Sequence, residues 1–147
     1  MTLFTIFEYR CVGFSMRFVR IIVITNDKQI LVCEMEHKRQ KNGITHDIGA
    51  GGGVPSGQDI EQAVRDELYE ELGATGTLTK IATWTPACGI RCLNDHYMIV
   101  TDINHDFHSR DGTYVNFSWK TYESLMEMKH MIRDDPFEFA KDFLHKF

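Results

Sequence analysis

Apolar side chains recur at every fourth position between residues 60 and 72 and predict an amphipathic helix. The repeat consists of Ile60, Val64, Leu68 and Leu72, which a helix places on one buried face. Asp59, followed three residues later by Gln62, has the pattern of an N-terminal capping box. Gly73 occupies the position where a left-handed residue commonly ends a helix. The helix is therefore expected to run from just after Asp59 to just before Gly73.

The pattern of apolar and polar residues in the rest of the chain predicts a mixture of strands and helices. Strands are expected at 3–12, 18–25, 30–36, 77–85, 95–103 and 113–119. Residues 37–50 are expected to form a loop, followed by a glycine-rich turn. A helix is predicted from Thr121 to about residue 132, and Asp135 with Pro136 begins a last helix. This order predicts a mixed sheet packed between helices.

Length and composition are those of an ordinary globular protein. The chain has 147 residues, of which 43% are hydrophobic and 25% charged. This length favours one domain, residues 1–147. The formal net charge is −5, and basic residues cluster only in the short run 37–41. A nucleic-acid-binding surface is therefore not expected, whereas a small phosphorylated ligand is compatible with this charge.

The sequence predicts a cytoplasmic protein without a membrane segment. No apolar run approaches the roughly 20 residues that cross a bilayer. Glu8 and Arg10 interrupt the stretch where a signal peptide would be apolar. The spacing of the four cysteines implies no pairing, so we expect free thiols at Cys11, Cys33, Cys88 and Cys92.

Three glutamates lie on the predicted helix at positions i, i+3 and i+4. They are Glu67, Glu70 and Glu71, and a helix sets them within an arc of about 100°. Their mutual repulsion costs up to about 0.5 kcal/mol per pair on an exposed helix. A solvated acidic face is one explanation, but these glutamates border the apolar stripe. Carboxylates in this arrangement are suitable ligands for a hard divalent cation.

The segment 52–74 resembles the Nudix box. That pattern is G, five residues, E, seven residues and R-E-U-x-E-E-x-G-U, where U is bulky and apolar. The matching positions are Gly52, Glu67, Leu68, Glu70, Glu71 and Gly73. The resemblance implies an α/β fold, a Nudix-like α/β/α sandwich with a mixed β-sheet. It also implies a Nudix-type hydrolase that acts on acid anhydrides in phosphorus-containing compounds.

Three positions of the box depart from the family pattern. Gln58 replaces the first glutamate, Asp66 replaces the arginine, and Ala74 replaces the final bulky residue. In the family, the arginine is thought to hold the neighbouring glutamate and offset its charge. Arg65 cannot take that role because it points about 100° away. Either Asp66 joins the metal shell or binds a second cation, or hydrolysis is weakened while ligand binding remains; we expect hydrolysis to be retained.

The resemblance implies that the glutamate ridge binds Mg²⁺, or Mn²⁺, against a diphosphate substrate. Glu67, Glu70 and Glu71 are the expected metal ligands and catalytic residues. Water attacks phosphorus and releases two phosphate-bearing products or a nucleoside monophosphate. Gly52 and Gly53 are expected to let the backbone approach the substrate closely, and a backbone carbonyl there is a candidate metal ligand.

Other substrate contacts are expected from residues outside the helix. His46 and Asp47 precede the glycines and are predicted to line the site, whereas Arg39, with Lys38, is predicted to reach the distal phosphate. The general base is either one of the ridge glutamates or an acid from a loop such as 104–111; a solvated loop is the alternative for each residue there. Trp84 and Trp119 are candidates for stacking on a base, with core packing as the alternative.

Two other functions agree with parts of the sequence. A catalytically weakened, Nudix-like ligand-binding domain is favoured by Gln58 and Asp66. An enzyme like isopentenyl diphosphate isomerase would need a cysteine just before the box, where this chain has Gly49. Oxidised nucleotides, nucleotide sugars, ADP-ribose and dinucleotide polyphosphates all stay open as substrates. A homodimer is also left open, because the predicted strand 3–12 is suited to pairing at a sheet edge.

Overall fold

The computed structural model of the protein describes residues 16–84 and 92–133, together with 137, 140 and 141. The predicted strand 3–12 lies outside the described residues, as do Cys11, Cys88 and the side chains of Trp84 and Cys92. Most of the last predicted helix also lies outside them, although residues 137, 140 and 141 are helical.

The described residues contain seven strands. They are β1 (Met16–Ile24), β2 (Ile30–Met35), β3 (His46–Ile48), β4 (Ala50–Val54), β5 (Thr79–Trp84), β6 (Cys92–Val100) and β7 (Tyr114–Lys120). All five expected strands within the described region are confirmed to within a few residues. The expected loop and glycine-rich turn are wrong in part, because residues 46–48 and 50–54 are extended and paired.

The strands form one mixed sheet in the order β3-β2-β1-β6-β5, with β4 paired to β1 and β7 paired to β2. Strand β1 is parallel to β6 along its whole length and antiparallel to β4. In the second pairing, Val19 lies opposite Gly52 and Phe18 opposite Gly53. The glycine segment is thus tied to the central strand by backbone hydrogen bonds, which fixes it in front of the next helix.

The sheet is covered on both faces, as the alternation of side chains along β1 requires. Val19, Ile21 and Val23 enter one core cluster with Val64 and Leu68 of the box helix. Ile22 enters the opposite cluster, together with Leu125, Ile132 and Phe137. This arrangement confirms the α/β class and the Nudix-like α/β/α sandwich with a mixed sheet.

Helix α1 (Ile60–Leu72) begins and ends where the sequence predicts. The Asp59 side chain accepts a hydrogen bond from the Gln62 backbone N–H, and Gly73 is left-handed with φ of 63°. Helix α2 (Tyr122–Glu127) begins after Thr121 as expected. It ends earlier than predicted, because the chain continues as a short 3₁₀ helix, Lys129–Met131.

No helix within the described ranges is both long and apolar enough to cross a membrane. Among the cysteines, Cys33 is described, and its thiol is free and buried.

Candidate active site at the acidic face of helix α1

Helix α1 brings the Glu67 carboxylate directly over Gly52 of strand β4. A methyl group added at Gly52 would overlap that carboxylate, whereas one added at Gly53 would meet nothing closer than a Phe18 ring carbon at 3.9 Å. A side chain at position 52 would therefore displace the Glu67 carboxylate from this position. The two glycines expected to serve the substrate together have different environments: Gly52 is half-buried beneath Glu67, and Gly53 is exposed.

Glu67 and Glu71 form a carboxylate pair linked by a side-chain hydrogen bond. Two carboxyl groups can share such a bond only if one of them retains a proton. Burial, the hydrogen bond to Glu67 and the repulsion from Glu67 together raise the pKa of Glu71 to about 9. The pKa of Glu67 is also raised, first by burial and then by the nearby charges of Glu70, Asp111 and Asp66. At neutral pH the pair therefore keeps one proton.

Glu70 takes a different place from its two neighbours. Its side chain is exposed, and its backbone carbonyl accepts hydrogen bonds from the Arg110 and Asp111 N–H groups at 2.8 and 3.2 Å. The loop after β6 is thus attached to the last turn of α1. Of the three predicted ligands, the fold joins Glu67 and Glu71 directly and leaves Glu70 at the exposed edge of the pair.

Arg20, which belongs to no motif of the sequence, supplies positive charge near the pair. Its guanidinium donates to Asp47 Oδ1 at 3.2 Å and is near enough to Glu71 to lower the pKa of that carboxyl. Burial lowers the pKa of Arg20, but Asp47, Tyr114 and Glu71 outweigh it and the net shift is upward. In the sequence, Arg20 is the single charged residue of the otherwise apolar segment 18–25, and this isolated position is what could have indicated a buried charge near a site.

Asp47 is 2% exposed and is occupied by partners from within the fold. In addition to Arg20, its carboxylate accepts hydrogen bonds from the Tyr114 hydroxyl at 3.2 Å and the Ile48 N–H at 2.9 Å. Arg133 lies 3.5 Å from the same carboxylate. This placement favours a structural role, holding Arg20 and Tyr114 beside Glu71, over the predicted contact with substrate.

The other predicted substrate contacts lie at the edge of the site. His46 is half-buried in β3, with Nδ1 2.7 Å from the Thr45 hydroxyl, and its pKa is lowered mainly by burial. Arg39 is exposed in a 3₁₀ helix, His37–Arg39, and is close enough to help lower the pKa of Asp111. Arg39 therefore faces the acidic loop, whereas His46 does not join the carboxylate pair.

Asp111 is the acid of the 104–111 loop that comes nearest to the pair. Its charge contributes to the raised pKa of Glu67. Burial alone would raise the pKa of Asp111, but hydrogen bonds from Thr113 and Ser109 and the charge of Arg39 lower it. Asp111 is therefore ionised at neutral pH. Nothing in the sequence distinguished it from Asp106, because its position depends on the attachment of the loop to helix α1.

In the part of the chain that the structure describes, no three side chains of His, Cys, Asp or Glu converge in a way that would hold a metal ion. Among the described residues, the half-buried Glu67 and the buried Glu71 provide adjacent carboxylate oxygens on one face of helix α1. Mg²⁺ is commonly held by one or two carboxylates together with substrate phosphates. A proton-sharing carboxylate pair fits such a cation, since the cation would replace the proton and relieve the repulsion.

A scan against family models matches residues 16–143 to the NUDIX domain. This match covers the box, all seven described strands and helices α1 and α2. The chain belongs to the Nudix family. The family that the resemblance of segment 52–74 implied is thereby confirmed.

Curated relatives of this Nudix chain include nucleoside triphosphatase NudI of Escherichia coli O139:H28 (strain E24377A / ETEC). The two are 44% identical over 71 residues, which is 47% of this chain and 48% of the relative. NudI of Escherichia coli O1:K1 / APEC is 42% identical over the same length. The chain thus spans about half the length of the curated relatives it matches.

Solved structures support the fold. DR0079 from Deinococcus radiodurans has a TM-score of 0.71 and 20% identity, covering 86% of this chain and 82% of that one. A bifunctional NMN adenylyltransferase/ADP ribose pyrophosphatase from Francisella tularensis, complexed with AMP and a Mn ion, has a TM-score of 0.65 and 17% identity. That similarity covers 97% of this chain and 46% of the other.

Two departures from the Nudix box contact each other in this structure. Gln58 donates from its amide to Asp66 Oδ2 at 3.1 Å, and Gln62 donates to Asp66 Oδ1 at 2.8 Å. Both carboxylate oxygens of Asp66 thus have amide donors. The expectation that Asp66 joins the metal shell is not supported, because these bonds hold it toward the loop before the helix. Where the family pattern has glutamate, an acceptor, this chain has Gln58, which donates. Where the pattern has arginine, a donor, this chain has Asp66, which accepts.

Proposed function

We propose that this Nudix chain is a metal-dependent pyrophosphohydrolase of nucleoside diphosphates linked to another moiety, or of related nucleotides. The observation that carries the proposal is the placement of the Glu67 carboxylate over Gly52, on the same face of helix α1 as the buried Glu71. Nudix hydrolases generally use divalent metals, and we assign Mg²⁺, or Mn²⁺, to this pair with Glu70 at its exposed edge. The relatives named nucleoside triphosphatases support including triphosphates among the substrates.

Each side chain of the site has a separate task in this proposal. Gly52 leaves the space in which the Glu67 carboxylate lies. The Tyr114 hydroxyl, which donates to Asp47, lies beside Glu71 and helps to lower the pKa of that carboxyl, and Arg20 offsets part of the negative charge. When bound, a divalent cation neutralises phosphate charge and lowers the pKa of a coordinated water. These residues hold the ligand atoms before substrate arrives, so little reorganisation is needed during the reaction.

We assign the general base to Asp111 and a phosphate contact to Arg39. The assignment to Asp111 depends on its position, since its charge reaches Glu67; its lowered pKa makes it a weak base, so it would act mainly by orienting the water that attacks phosphorus. Arg39 is exposed, and its charge reaches Asp111. A guanidinium there is free to approach a distal phosphate of the substrate. Gly53, His46 and Asp47 stay predictions as substrate contacts.

The test is a substrate screen with Mg²⁺, with Mn²⁺ and with EDTA. The panel contains nucleoside triphosphates, oxidised nucleotides, nucleotide sugars, ADP-ribose and dinucleotide polyphosphates, with products separated by chromatography. Turnover is expected with a divalent cation and is expected to be lost in Glu70→Gln and Glu71→Gln. Glu61→Gln is the matched control, because Glu61 is exposed in the first turn of the same helix.

A catalytically weakened ligand-binding domain is the second candidate, favoured because no three metal-ligating side chains converge among the described residues. Binding of a nucleotide without turnover under every metal condition would favour it and would overturn the hydrolase. The predicted cytoplasmic location, the predicted absence of nucleic-acid and membrane partners and the open question of a homodimer stay predictions from the sequence.

A further inference from the structure

An open cavity of about 590 Å³ lies between strand β7 and the loop that precedes it. Its floor is aromatic and includes Phe107, Phe117 and Trp119, and its rim is polar and includes His105, Ser109 and Asn116. The volume is within the range of small-molecule sites, roughly 300–1,000 Å³. No residue of this cavity belongs to the Nudix box.

The aromatic floor is held in a fixed arrangement. The Phe107 ring lies 5.9 Å from Phe117 and 5.8 Å from Trp119, measured between ring centres. The indole N–H of Trp119 donates to the Ile103 carbonyl at 2.9 Å, which sets the plane of that ring. All three rings are half-buried, so part of their surface is still open to a ligand.

The cavity adjoins the acidic site through two residues that belong to both. Tyr114 lines the cavity, and its hydroxyl group contacts Asp47 and Glu71. Ser109 also lines the cavity, and its hydroxyl donates to Asp111 at 2.9 Å. A ligand that places its phosphates at the carboxylate pair is thus able to place an attached group over the aromatic floor.

We propose that this cavity binds the nucleobase of the substrate, an inference that rests on the proposed function. A flat heterocycle stacks on aromatic side chains, and every base presents such a face. The polar rim offers the His105 ring and the Asn116 side-chain carbonyl to the hydrogen-bonding edge of a base, while the Asn116 amide nitrogen donates to Glu34 at 3.2 Å. An aliphatic chain would leave these polar groups without partners, so a base is the better fit.

The experiment uses the full chain with Trp84→Phe, which leaves Trp119 as the sole tryptophan of the two in the sequence. Adenosine 5′-monophosphate is titrated in EDTA while the emission of Trp119 is followed. We expect a saturable change in emission with this nucleotide and none with ribose 5-phosphate, which lacks the base. Phe107→Leu keeps apolar volume but removes the ring, and we expect it to weaken binding roughly tenfold, in the range of base–aromatic stacking.

The exposed residue Asn116 supplies a second variant that does not disturb the packed rings. We expect Asn116→Ala to change the relative affinities for adenosine and cytidine monophosphates, whereas Val100→Ala, an exposed change on β6, leaves both unchanged. Equal responses to the nucleotide and to ribose 5-phosphate would overturn the proposal. Undiminished affinity in Phe107→Leu, or stronger binding of a prenyl monophosphate than of the nucleotide, would also overturn it.

The outcomes for this cavity and for the proposed hydrolase are separable. The titration contains no metal and measures no turnover. Calorimetry shows independently whether the nucleotide binds. If it binds without changing the emission of Trp119, and metal-dependent hydrolysis is observed, the cavity is rejected and the hydrolase is retained. A Trp119 response without hydrolysis of any substrate would retain the cavity and reject the hydrolase.

Discussion

Two buried acidic centres in this fold have opposite electrostatic environments. Asp95, 0% exposed, accepts hydrogen bonds from Thr83 at 2.8 Å and Arg17 at 2.7 Å, and Lys80 lies at 3.2 Å. Burial alone would raise the pKa of Asp95, but these three groups outweigh it and lower the pKa. Glu71, 6% exposed, faces another carboxylate instead, and its pKa rises to about 9.

The difference separates a structural carboxylate from one that is free to receive a ligand. Asp95 has its positive partners within the chain, so it needs nothing from outside. Glu71 is paired with Glu67, another carboxylate, and the charge of Arg20 together with the Tyr114 hydroxyl lowers its pKa only in part. Carboxylates whose pKa values are strongly perturbed in this way concentrate at functional sites.

The largest expected effect is a contrast between two carboxylate-to-amide substitutions, one of which lowers turnover and the other stability. Glu71→Gln should lower turnover roughly a hundredfold or more without lowering the stability of the metal-free fold. Asp95→Asn should destabilise the fold by roughly 2–3 kcal/mol, a figure reduced for hydration because Arg17 and Lys80 are 41% and 49% exposed. Urea unfolding and initial rates with saturating Mg²⁺ measure the two effects. Loss of stability in Glu71→Gln would contradict the comparison, as would loss of turnover in Asp95→Asn.

The raised pKa of Glu71 predicts how stability depends on pH. The pKa of Glu71 is about 9 in the folded state and about 4.5, the ordinary value, in the unfolded state. Between these two pH values the folded state keeps a proton that the unfolded state has lost. Stability of the metal-free protein therefore falls as pH rises through this window, by up to about 1.4 kcal/mol per pH unit for one proton. Denaturant unfolding in EDTA from pH 5 to 9 measures this fall. Glu71→Gln should flatten it, and the same slope in that variant would assign the effect to another group.

Two neighbouring glycines sharpen the comparison without any change of charge. Gly52→Ala should displace the Glu67 carboxylate and weaken Mn²⁺ binding roughly tenfold, because changing the groups that orient a metal ligand typically costs about 10–100-fold in metal affinity. Gly53→Ala is the matched control, since its added methyl group meets nothing within 3.9 Å. Calorimetric titration with Mn²⁺ measures both affinities. Equal effects of the two substitutions would reject the steric role of Gly52.

The smallest expected effect concerns Asp66, a carboxylate held by amides. Gln58→Glu should place two carboxylates together and destabilise the fold by roughly 1 kcal/mol. Gln58→Glu combined with Asp66→Arg should recover that stability, because the pair regains opposite partners. A double-mutant cycle measures the coupling, expected at roughly 1 kcal/mol. Additive effects would mean that the two box departures are independent.

Local patterns in the sequence predicted the helix of the site well. The four-residue apolar repeat, the Asp59 cap and Gly73 gave its limits to within a residue, because caps and amphipathic spacing are local properties. The same spacing predicted that Glu67 and Glu71 lie together. The strand segments followed from their apolar alternation, and one mixed sheet between helices followed from their order.

Contacts between distant segments were not predictable in the same way. Glycine composition suggested a turn, whereas pairing with β1 makes residues 50–54 a strand. Arg20 and Asp111 reach the site through strand pairing and through hydrogen bonds to the end of α1, which no spacing in the sequence encodes. The contact of Gln58 with Asp66 spans eight residues and depends on how the loop folds back onto the helix.

The most direct test of the central claim is the number of protons released when a cation binds. Mn²⁺ is titrated into the protein by calorimetry at pH 7 in buffers of different ionisation enthalpy. The shared proton of Glu67 and Glu71 predicts release of about one proton per cation bound, with weaker uptake and no release in Glu71→Gln. Cation uptake without proton release, or equal uptake in Glu71→Gln, would contradict the claim that this pair holds the metal.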